Sequence, residues 1–213
     1  GQVKNAFQSA LDTGACGAIL SALFRQALRA GKRARTETEI GQGARSLGQV
    51  VVSLAREVLG ELDQRTALIV GAGKMSQLAG RALVENGLRC LLVANRTFDQ
   101  AERLACSLGG RAMHLDALPA ALLEADLVIA ATGAPHIVLH EADLRQALAA
   151  RAQPLVVIDL AVPRNVDPAA RTLPGLHLYD MDDLTPVVAA HHPVAAPAIA
   201  ASERIVEQEV MAF

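Results

Sequence analysis

From residue 66 onward, short apolar runs alternate regularly with amphipathic segments. The apolar runs have the length of strands that are buried on both faces, and the segments between them show helical spacing. This alternation is typical of a parallel sheet with helices on both sides, and six runs fit a doubly wound α/β fold. The predicted strands are 66–70, 89–94, 111–115, 126–131, 154–160 and 176–179, and the predicted helices are 74–86, 98–108, 116–123, 140–150, 181–190 and 197–213.

Helical segments flank this region on both sides. Before it, apolar residues recur at steps of three and four, and after it two prolines interrupt the chain ahead of a last amphipathic helix. The fold class is therefore α/β, a Rossmann-like doubly wound parallel sheet of about six strands, flanked by N-terminal helices and a C-terminal helix. The flanking parts are predicted helices at about 2–11, 18–32 and 43–60, a polar connection at 33–43 and a hinge at 191–197.

The last helix carries an apolar stripe beside three glutamates. An amphipathic helix needs a partner for its apolar face, either from the same chain or from another. The stripe consists of Ile199, Ile205, Val206, Val210 and Phe213.

The first strand ends in the glycine-rich run LIVGAGKMS, residues 68–76, which opens a helix. A dinucleotide-binding turn requires this placement, because Gly71 permits a tight turn and Gly73 lets the backbone approach a pyrophosphate. Ser76 takes the place of a third glycine, where a small side chain still permits close packing. The predicted cofactor-binding residues of the turn are Gly71, Ala72, Gly73, Lys74, Met75 and Ser76.

The end of the second strand predicts which dinucleotide binds. An NAD site usually has an acidic residue there for the ribose 2′-hydroxyl, whereas this chain has Asn95, Arg96 and Thr97. The Arg96 guanidinium suits a 2′-phosphate, and its neighbours offer hydrogen bonds. NADPH is therefore the predicted cofactor. Thr132 and Gly133 end the fourth strand and are also expected to face it.

Three other polar residues follow strands without a decided role. Asp159 ends the fifth strand, and two roles are open for it: holding its own loop through backbone N–H groups, or contacting a ligand. His136 and His140 are four residues apart and close to Glu141, a spacing that can hold a metal on a helix. Pro135 disfavours a helix there, so we expect a loop histidine and a helix-start histidine, and no metal site.

Composition limits the remaining function classes. Aromatic residues make up 2% of the chain and the formal net charge is −2, which argues against base-stacking modules and general polyanion binders. The basic stretch 25–35 is either a solvated helix face or a contact with RNA or another domain. Three cysteines without a C-x-x-C pair predict neither a disulfide framework nor a zinc ribbon. No signal peptide or long apolar run is present, so we expect a cytoplasmic protein.

Seven runs of the sequence together resemble the glutamyl-tRNA reductase family. The runs are GQVKNAF (1–7), KRARTETEIG (32–41), LIVGAGKM (68–75), VANRT (93–97), ATGAP (131–135), IDLAVPRNVDP (158–168) and LYDMDDL (178–184). The resemblance implies NADPH-dependent reduction of glutamyl-tRNA to glutamate-1-semialdehyde, a step of tetrapyrrole (porphyrin) biosynthesis. It runs along essentially the whole chain.

The resemblance also implies a domain organisation and partners. Residues 1–42 resemble the helical tail of the catalytic domain, 43–190 the NADPH-binding domain with its lead-in helix, and 191–213 the start of a helical dimerisation domain. Gln2 matches a substrate-contacting glutamine of the family. The partners implied for the full-length enzyme are glutamyl-tRNA, a second copy in a homodimer and glutamate-1-semialdehyde aminomutase.

One family motif has no counterpart in this sequence. The family nucleophile is a cysteine in a Thr/Ser-Cys-Asn-Arg motif, which does not occur here, so we predict no catalytic residue in this chain. The chain also begins without Met inside a predicted helix, and we expect an inactive fragment. Two alternatives stay open, a shikimate-dehydrogenase-like NADP oxidoreductase and a non-catalytic nucleotide-binding module.

Overall fold

The computed structural model describes residues 2–38, 43–191 and 196–213. Within these ranges the chain forms nine α-helices and six β-strands. The helices are α1 (Gln2–Asp12), α2 (Ala18–Glu37), α3 (Gly43–Leu59), α4 (Lys74–Glu85), α5 (Phe98–Leu108), α6 (Leu118–Glu124), α7 (Glu141–Ala149), α8 (Met181–His191) and α9 (Ala196–Met211). The strands are β1 (Thr66–Val70), β2 (Cys90–Asn95), β3 (Arg111–His114), β4 (Leu127–Ala130), β5 (Leu155–Asp159) and β6 (Leu176–Asp180).

These elements form two compact units. One comprises Gly1–Gly43 together with His192–Phe213, and therefore holds α1, α2 and α9. The other comprises Ala44–His191 and holds the sheet with its covering helices. The assignment of 1–42, 43–190 and 191–213 to three functional domains stays a prediction.

The six strands form one sheet in the order β3-β2-β1-β4-β5-β6, and all neighbouring strands are parallel. The predicted α/β fold with a doubly wound parallel sheet is therefore confirmed. From β1 the chain winds outward through β2 and β3, then returns to the other side of β1 and continues through β4 to β6. Loops that leave the carboxyl ends of β1 and β4 diverge at this switch point and open a crevice, the usual ligand site of such sheets.

The central strands contribute side chains to two hydrophobic clusters. In β1, Ala67 and Ile69 belong to one cluster, whereas Leu68 and Val70 belong to the other. Helices α3, α4 and α5 supply the first cluster, and α6 and α7 supply the second. Because both faces are covered, the strand sequences are continuously apolar instead of alternating.

The packing of α9 differs from the predicted apolar stripe. Its buried face includes polar groups: the Gln26 side-chain amide of α2 donates to the Glu209 carboxylate at 2.8 Å, and Arg33 donates to it at 2.8 Å. Within the stripe only Ile205 is buried. The buried residues of α9 are Ala198, Ser202, Ile205 and Glu209.

The expected connection at 33–43 is wrong at its beginning, because α2 continues to Glu37. The Arg33 guanidinium donates to both Glu37 oxygens, at 2.8 and 2.9 Å, and such i,i+4 pairs support a helix. Of the predicted hinge, residues 192–195 lie outside the described residues. Helix α9 begins directly after them, with Pro197 in its first turn, where proline is tolerated.

Candidate functional site

The turn between β1 and α4 has no room for a side chain at its first glycine. Gly71 has a φ of +108°, a positive value that favours glycine. A Cβ added there would lie 2.5 Å from the carbonyl oxygen of Ala131. The Gly71 N–H donates to the Ala94 carbonyl at 2.8 Å. The turn is therefore fixed between the ends of β2 and β4.

The packing of the chain does not require a glycine at position 73. Gly73 is the N-cap of α4 in an extended conformation, and no side chain caps this helix. A Cβ there would meet nothing closer than the Ala131 carbonyl oxygen at 3.9 Å, an ordinary contact. Open space beside uncapped N–H groups suits a phosphate that approaches the backbone closely.

Ser76 supports this turn from inside the fold. It lies on α4 at the position of the third glycine and is 0% exposed. Its hydroxyl donates to the Ala131 carbonyl at 3.4 Å, so the buried oxygen has a partner. The small side chain lets α4 pack closely against the end of β4.

A cavity of about 570 Å³ opens at the carboxyl ends of β1, β2 and β4. The predicted residues that line it are Gly71, Asn95, Arg96, Thr97, Thr132 and Gly133. The other residues of the glycine turn are not among its lining residues, and they are Ala72, Gly73, Lys74, Met75 and Ser76. Gln2 belongs to α1 in the other unit, and its side chain lies outside the described residues. The structure thus brings together the residues predicted at three strand ends, and their ligand contacts stay a prediction.

Two neighbouring residues at the end of β2, Asn95 and Arg96, have different surroundings. The Asn95 side-chain amide donates to the Thr97 carbonyl at 2.9 Å and to the Gln100 side-chain oxygen at 3.3 Å, so it holds the loop. Arg96 is exposed and lines the cavity, and within the described ranges its guanidinium has no hydrogen bond or ion pair. This charge is therefore available to an anion in the cavity.

Asn165 organises the loop after β4 from a position that is 0% exposed. Its side-chain oxygen accepts from the Thr132 N–H at 3.0 Å and from the Thr132 hydroxyl at 2.7 Å. Its amide nitrogen donates to the carbonyls of Ala134 at 3.2 Å and His136 at 3.3 Å. Its own carbonyl accepts from the Val138 N–H at 2.7 Å. One buried side chain and its backbone thus fix one wall of the cavity.

Asp159 in turn holds Asn165. Its carboxylate is 1% exposed and accepts from the N–H groups of Ala161 at 3.0 Å, Asn165 at 2.8 Å and Val166 at 2.9 Å. Of the two roles open for Asp159, the structure shows the one in which it holds its own loop. Sequence reasoning missed Asn165, and the only signal was its place in the run IDLAVPRNVDP, residues 158–168.

Two histidines that sequence reasoning set aside also line the cavity. His136 lies in the loop after β4, and His140 is the N-cap residue of α7, with no side-chain capping bond. Within the described ranges no three His, Cys, Asp or Glu side chains form a group that could hold a metal ion. Cys16 and Cys90 are half-buried and Cys106 is exposed, and all three are free thiols away from the cavity lining.

Two family models match different parts of the chain, and relatives from one family match its whole length. Residues 1–38 match the family described as glutamyl-tRNAGlu reductase, N-terminal domain, and residues 53–187 match the family described as shikimate / quinate 5-dehydrogenase. The glutamyl-tRNA reductase of Moorella thermoacetica is 47% identical over 214 residues, covering 100% of this chain and 48% of that protein. The chain belongs to the glutamyl-tRNA reductase family. Its sheet-containing unit is a domain of the shikimate / quinate 5-dehydrogenase type.

Two further members of the glutamyl-tRNA reductase family agree with this result. The glutamyl-tRNA reductase of Rubrobacter xylanophilus is 43% identical over 213 residues, covering 100% of this chain and 50% of that protein. The solved structure of the Methanopyrus kandleri enzyme matches with a TM-score of 0.67 and 39% identity, covering 99% of this chain and 53% of that one. The predicted resemblance is confirmed, and the chain spans about half the length of these relatives. In the described part of the chain, no helix is long and apolar enough to cross a membrane.

Proposed function

We propose that this chain is the NADPH-binding part of a glutamyl-tRNA reductase. The whole reaction would be the reduction of glutamyl-tRNA to glutamate-1-semialdehyde, and this chain would contribute the cofactor site. The observation that carries the cofactor choice is Arg96, an unpaired cation at the cavity where an NAD site would have an acid. Homology along the full chain supports the choice of reaction.

The residues present fit a dinucleotide phosphate. Gly71 and Gly73 leave the backbone accessible at the start of α4, so the N–H groups there would bind the pyrophosphate. Arg96 would bind the 2′-phosphate, with Thr97 beside it, and Asn95 would keep the loop in place. Thr132 and Gly133 would contact the adenosine from the opposite side. When bound, NADPH supplies a hydride to a carbonyl group of the substrate.

Calorimetric titration of the 213-residue chain with NADPH and NADH tests the proposal. We expect tighter binding of NADPH. Substitution Arg96→Ala should weaken NADPH binding by about ten- to hundredfold, because a charge-assisted contact to phosphate is lost, and should change NADH binding little. The matched control is Arg103→Ala, an exposed arginine of α5 outside the cavity lining. Equal affinities for the two cofactors would contradict the assignment.

A second function is favoured by one observation, the match of residues 53–187 to shikimate / quinate 5-dehydrogenase. Under this alternative the chain would oxidise a cyclic hydroxy acid with NADP⁺. Incubation with shikimate and NADP⁺, followed at the absorbance of the reduced nicotinamide, separates the two. Turnover would favour the dehydrogenase, whereas NADPH binding without shikimate oxidation is expected for the reductase part.

A further inference from the structure

We propose that His136 and His140 form a protonation-dependent wall of the nucleotide cavity, which strengthens the binding of 2′-phosphorylated adenosine as the pH falls. The inference rests on the proposed function, because it deepens the cofactor specificity of the same site. It assigns a role to two residues that lie outside both the glycine turn and the segment 95–97.

The two histidines and Arg96 share one cavity although they come from different strand ends. Arg96 follows β2, whereas His136 and His140 lie between β4 and the start of α7, and all three side chains line the same space. In the described part of the chain, neither imidazole has a hydrogen bond or ion pair. Both are exposed and therefore have room to turn toward a ligand.

The histidine wall is held in place by its backbone. The His136 carbonyl accepts from the buried Asn165 amide at 3.3 Å, and two residues later the Val138 N–H donates to the Asn165 carbonyl at 2.7 Å. The Leu139 N–H donates to the same carbonyl at 2.9 Å, directly before His140. A wall fixed on both sides of its histidines needs little reordering when a ligand enters.

The cavity lining contains one fixed cation and no carboxylate. Arg96 and the two histidines are the ionisable side chains among its lining residues. The nearby acids of α7 lie outside the lining: Glu141 is paired with Arg145, and both Glu141 and Asp143 belong to the first turn of the helix. The remaining charged or titratable residues near the lining in sequence are Lys74, Asp99, His114 and Asp116. Lys74, Asp99 and Asp116 lie at the starts of α4, of α5 and of the short 3₁₀ segment before α6, and His114 ends β3, where its ring stacks on Phe98.

Protonation of the histidines therefore changes the charge that a phosphate meets. Histidine is the side chain that ordinarily gains a proton between pH 8 and pH 5. A bound phosphate favours the cationic form and raises the histidine pKa in the complex. By linkage, affinity for the phosphate then rises as the pH falls through this range and is constant well above it.

The test measures binding of adenosine 2′,5′-bisphosphate and adenosine 5′-monophosphate to the full chain at pH 6 and pH 8. For the bisphosphate we expect the affinity gain of the wild type on going to pH 6 to exceed that of His136→Asn/His140→Asn by roughly three- to tenfold. Titration of the nucleotide itself is the same for both proteins and cancels in this ratio. For the monophosphate the two proteins should differ little.

Controls separate this effect from folding and from the proposed function. His177→Asn changes an exposed histidine of β6 outside the cavity and should keep the wild-type pH response. Thermal unfolding of the double variant checks that it is folded, and the two single variants show which imidazole contributes. Identical pH responses in wild type and double variant, with binding still dependent on Arg96, would overturn the histidine wall alone. Absence of bisphosphate binding at both pH values would overturn the proposed function with it.

Discussion

Asn165 shows how much one buried amide can organise around a binding site. It has both donor and acceptor groups, and the structure uses each of them toward a different part of the loop after β4. An aspartate at this position could supply only the accepting oxygen, and a leucine could supply neither the acceptor nor the donor. The wall that carries Thr132 and the histidines therefore depends on a residue that is unable to touch a ligand from its buried position.

Substitution Asn165→Ala tests this dependence. It leaves the Thr132 N–H and two carbonyls without their partner in a partly buried place, which should lower the free energy of unfolding by about 1–3 kcal/mol. We also expect weaker binding of adenosine 2′,5′-bisphosphate, because the cavity wall is no longer fixed. Urea unfolding and calorimetry under native conditions measure the two effects.

The control for Asn165 is Asn86→Ala. The Asn86 amide donates to the Ala82 carbonyl at 2.8 Å at the end of α4, outside the cavity lining. Its loss should cost about 1 kcal/mol or less and leave nucleotide affinity unchanged. If Asn165→Ala were as mild as this control in both measurements, the loop after β4 would be held by other contacts.

At the scale of elements, the start of α8 combines a reciprocal cap with ion pairs. The Asp180 carboxylate accepts from the N–H groups of Asp182 and Asp183, at 2.9 and 3.2 Å, and the Asp183 carboxylate accepts from the Asp180 N–H at 2.9 Å. This is a capping box built from two aspartates. Arg171 donates to both carboxylates at 2.9 Å, and its hydrogen bond lowers the pKa of Asp183.

The pKa shift of Asp183 predicts a pH-dependent contribution to stability. Because the folded-state pKa is below the ordinary value of about 4, the contribution is present above that pH and is lost as the pH falls through the folded-state pKa. Asp183→Asn should therefore lower the free energy of unfolding at pH 7, by at most about 1 kcal/mol since solvent screens the pair. Below the folded-state pKa the variant and the wild type should converge.

Urea unfolding across pH 2 to 7 measures this convergence. The control is Asp182→Asn. The Asp182 carboxylate pairs with Arg164 at 2.7 Å, but the Asp182 side chain is 85% exposed. We expect the control to change stability little at any pH. A constant difference between Asp183→Asn and the wild type over the whole range would mean that the charge of Asp183 contributes nothing.

Elements were predictable where the signal is local. The apolar run 66–70 predicts β1, which the structure has at Thr66–Val70, because full burial between two helix layers requires unbroken hydrophobicity. The end of α2 was not predictable, since its polar residues look like a loop until Arg33 is seen to contact Glu37 and Glu209. The same holds for the cavity: glycines and strand ends predict its location, whereas Asn165 reaches it only through long-range packing.

At the scale of the molecule, each of the two units has its own stabilising contacts. The sheet unit has two hydrophobic clusters that together involve every strand from β1 to β6. The unit of α1, α2 and α9 has fewer buried apolar side chains, and a stacked pair, Phe7 and Phe24, with ring centroids 5.3 Å apart. Its other main contact is polar, around Glu209, which is 4% exposed and therefore depends on its cationic and amide partners.

Substitution Glu209→Gln should loosen this second unit selectively. The variant keeps an acceptor for Gln26, but it removes the charge that pairs with Arg33 at 2.8 Å and Arg29 at 3.4 Å. Arg33 keeps Glu37 as a partner, but it loses the charge-assisted hydrogen bond to the buried Glu209 carboxylate, and a neutral amide is a weaker acceptor. We expect amide hydrogen exchange in α2 and α9 to rise by about tenfold or more, while β1 and β4 keep their protection.

The matched control is Glu207→Gln, an exposed glutamate on the same helix. Hydrogen exchange followed by mass spectrometry reports on both units in one experiment, so a general loss of stability and a local one give different patterns. Exchange that rises equally in the sheet strands would show that the two units unfold as one. Exchange unchanged in both would show that the Phe7–Phe24 stack and the buried alanines of α2 and α9 suffice. Only a rise confined to α2 and α9 supports the proposal that the contacts of Glu209 hold the unit of α1, α2 and α9 together. In that case the sheet unit stays folded when these contacts are lost.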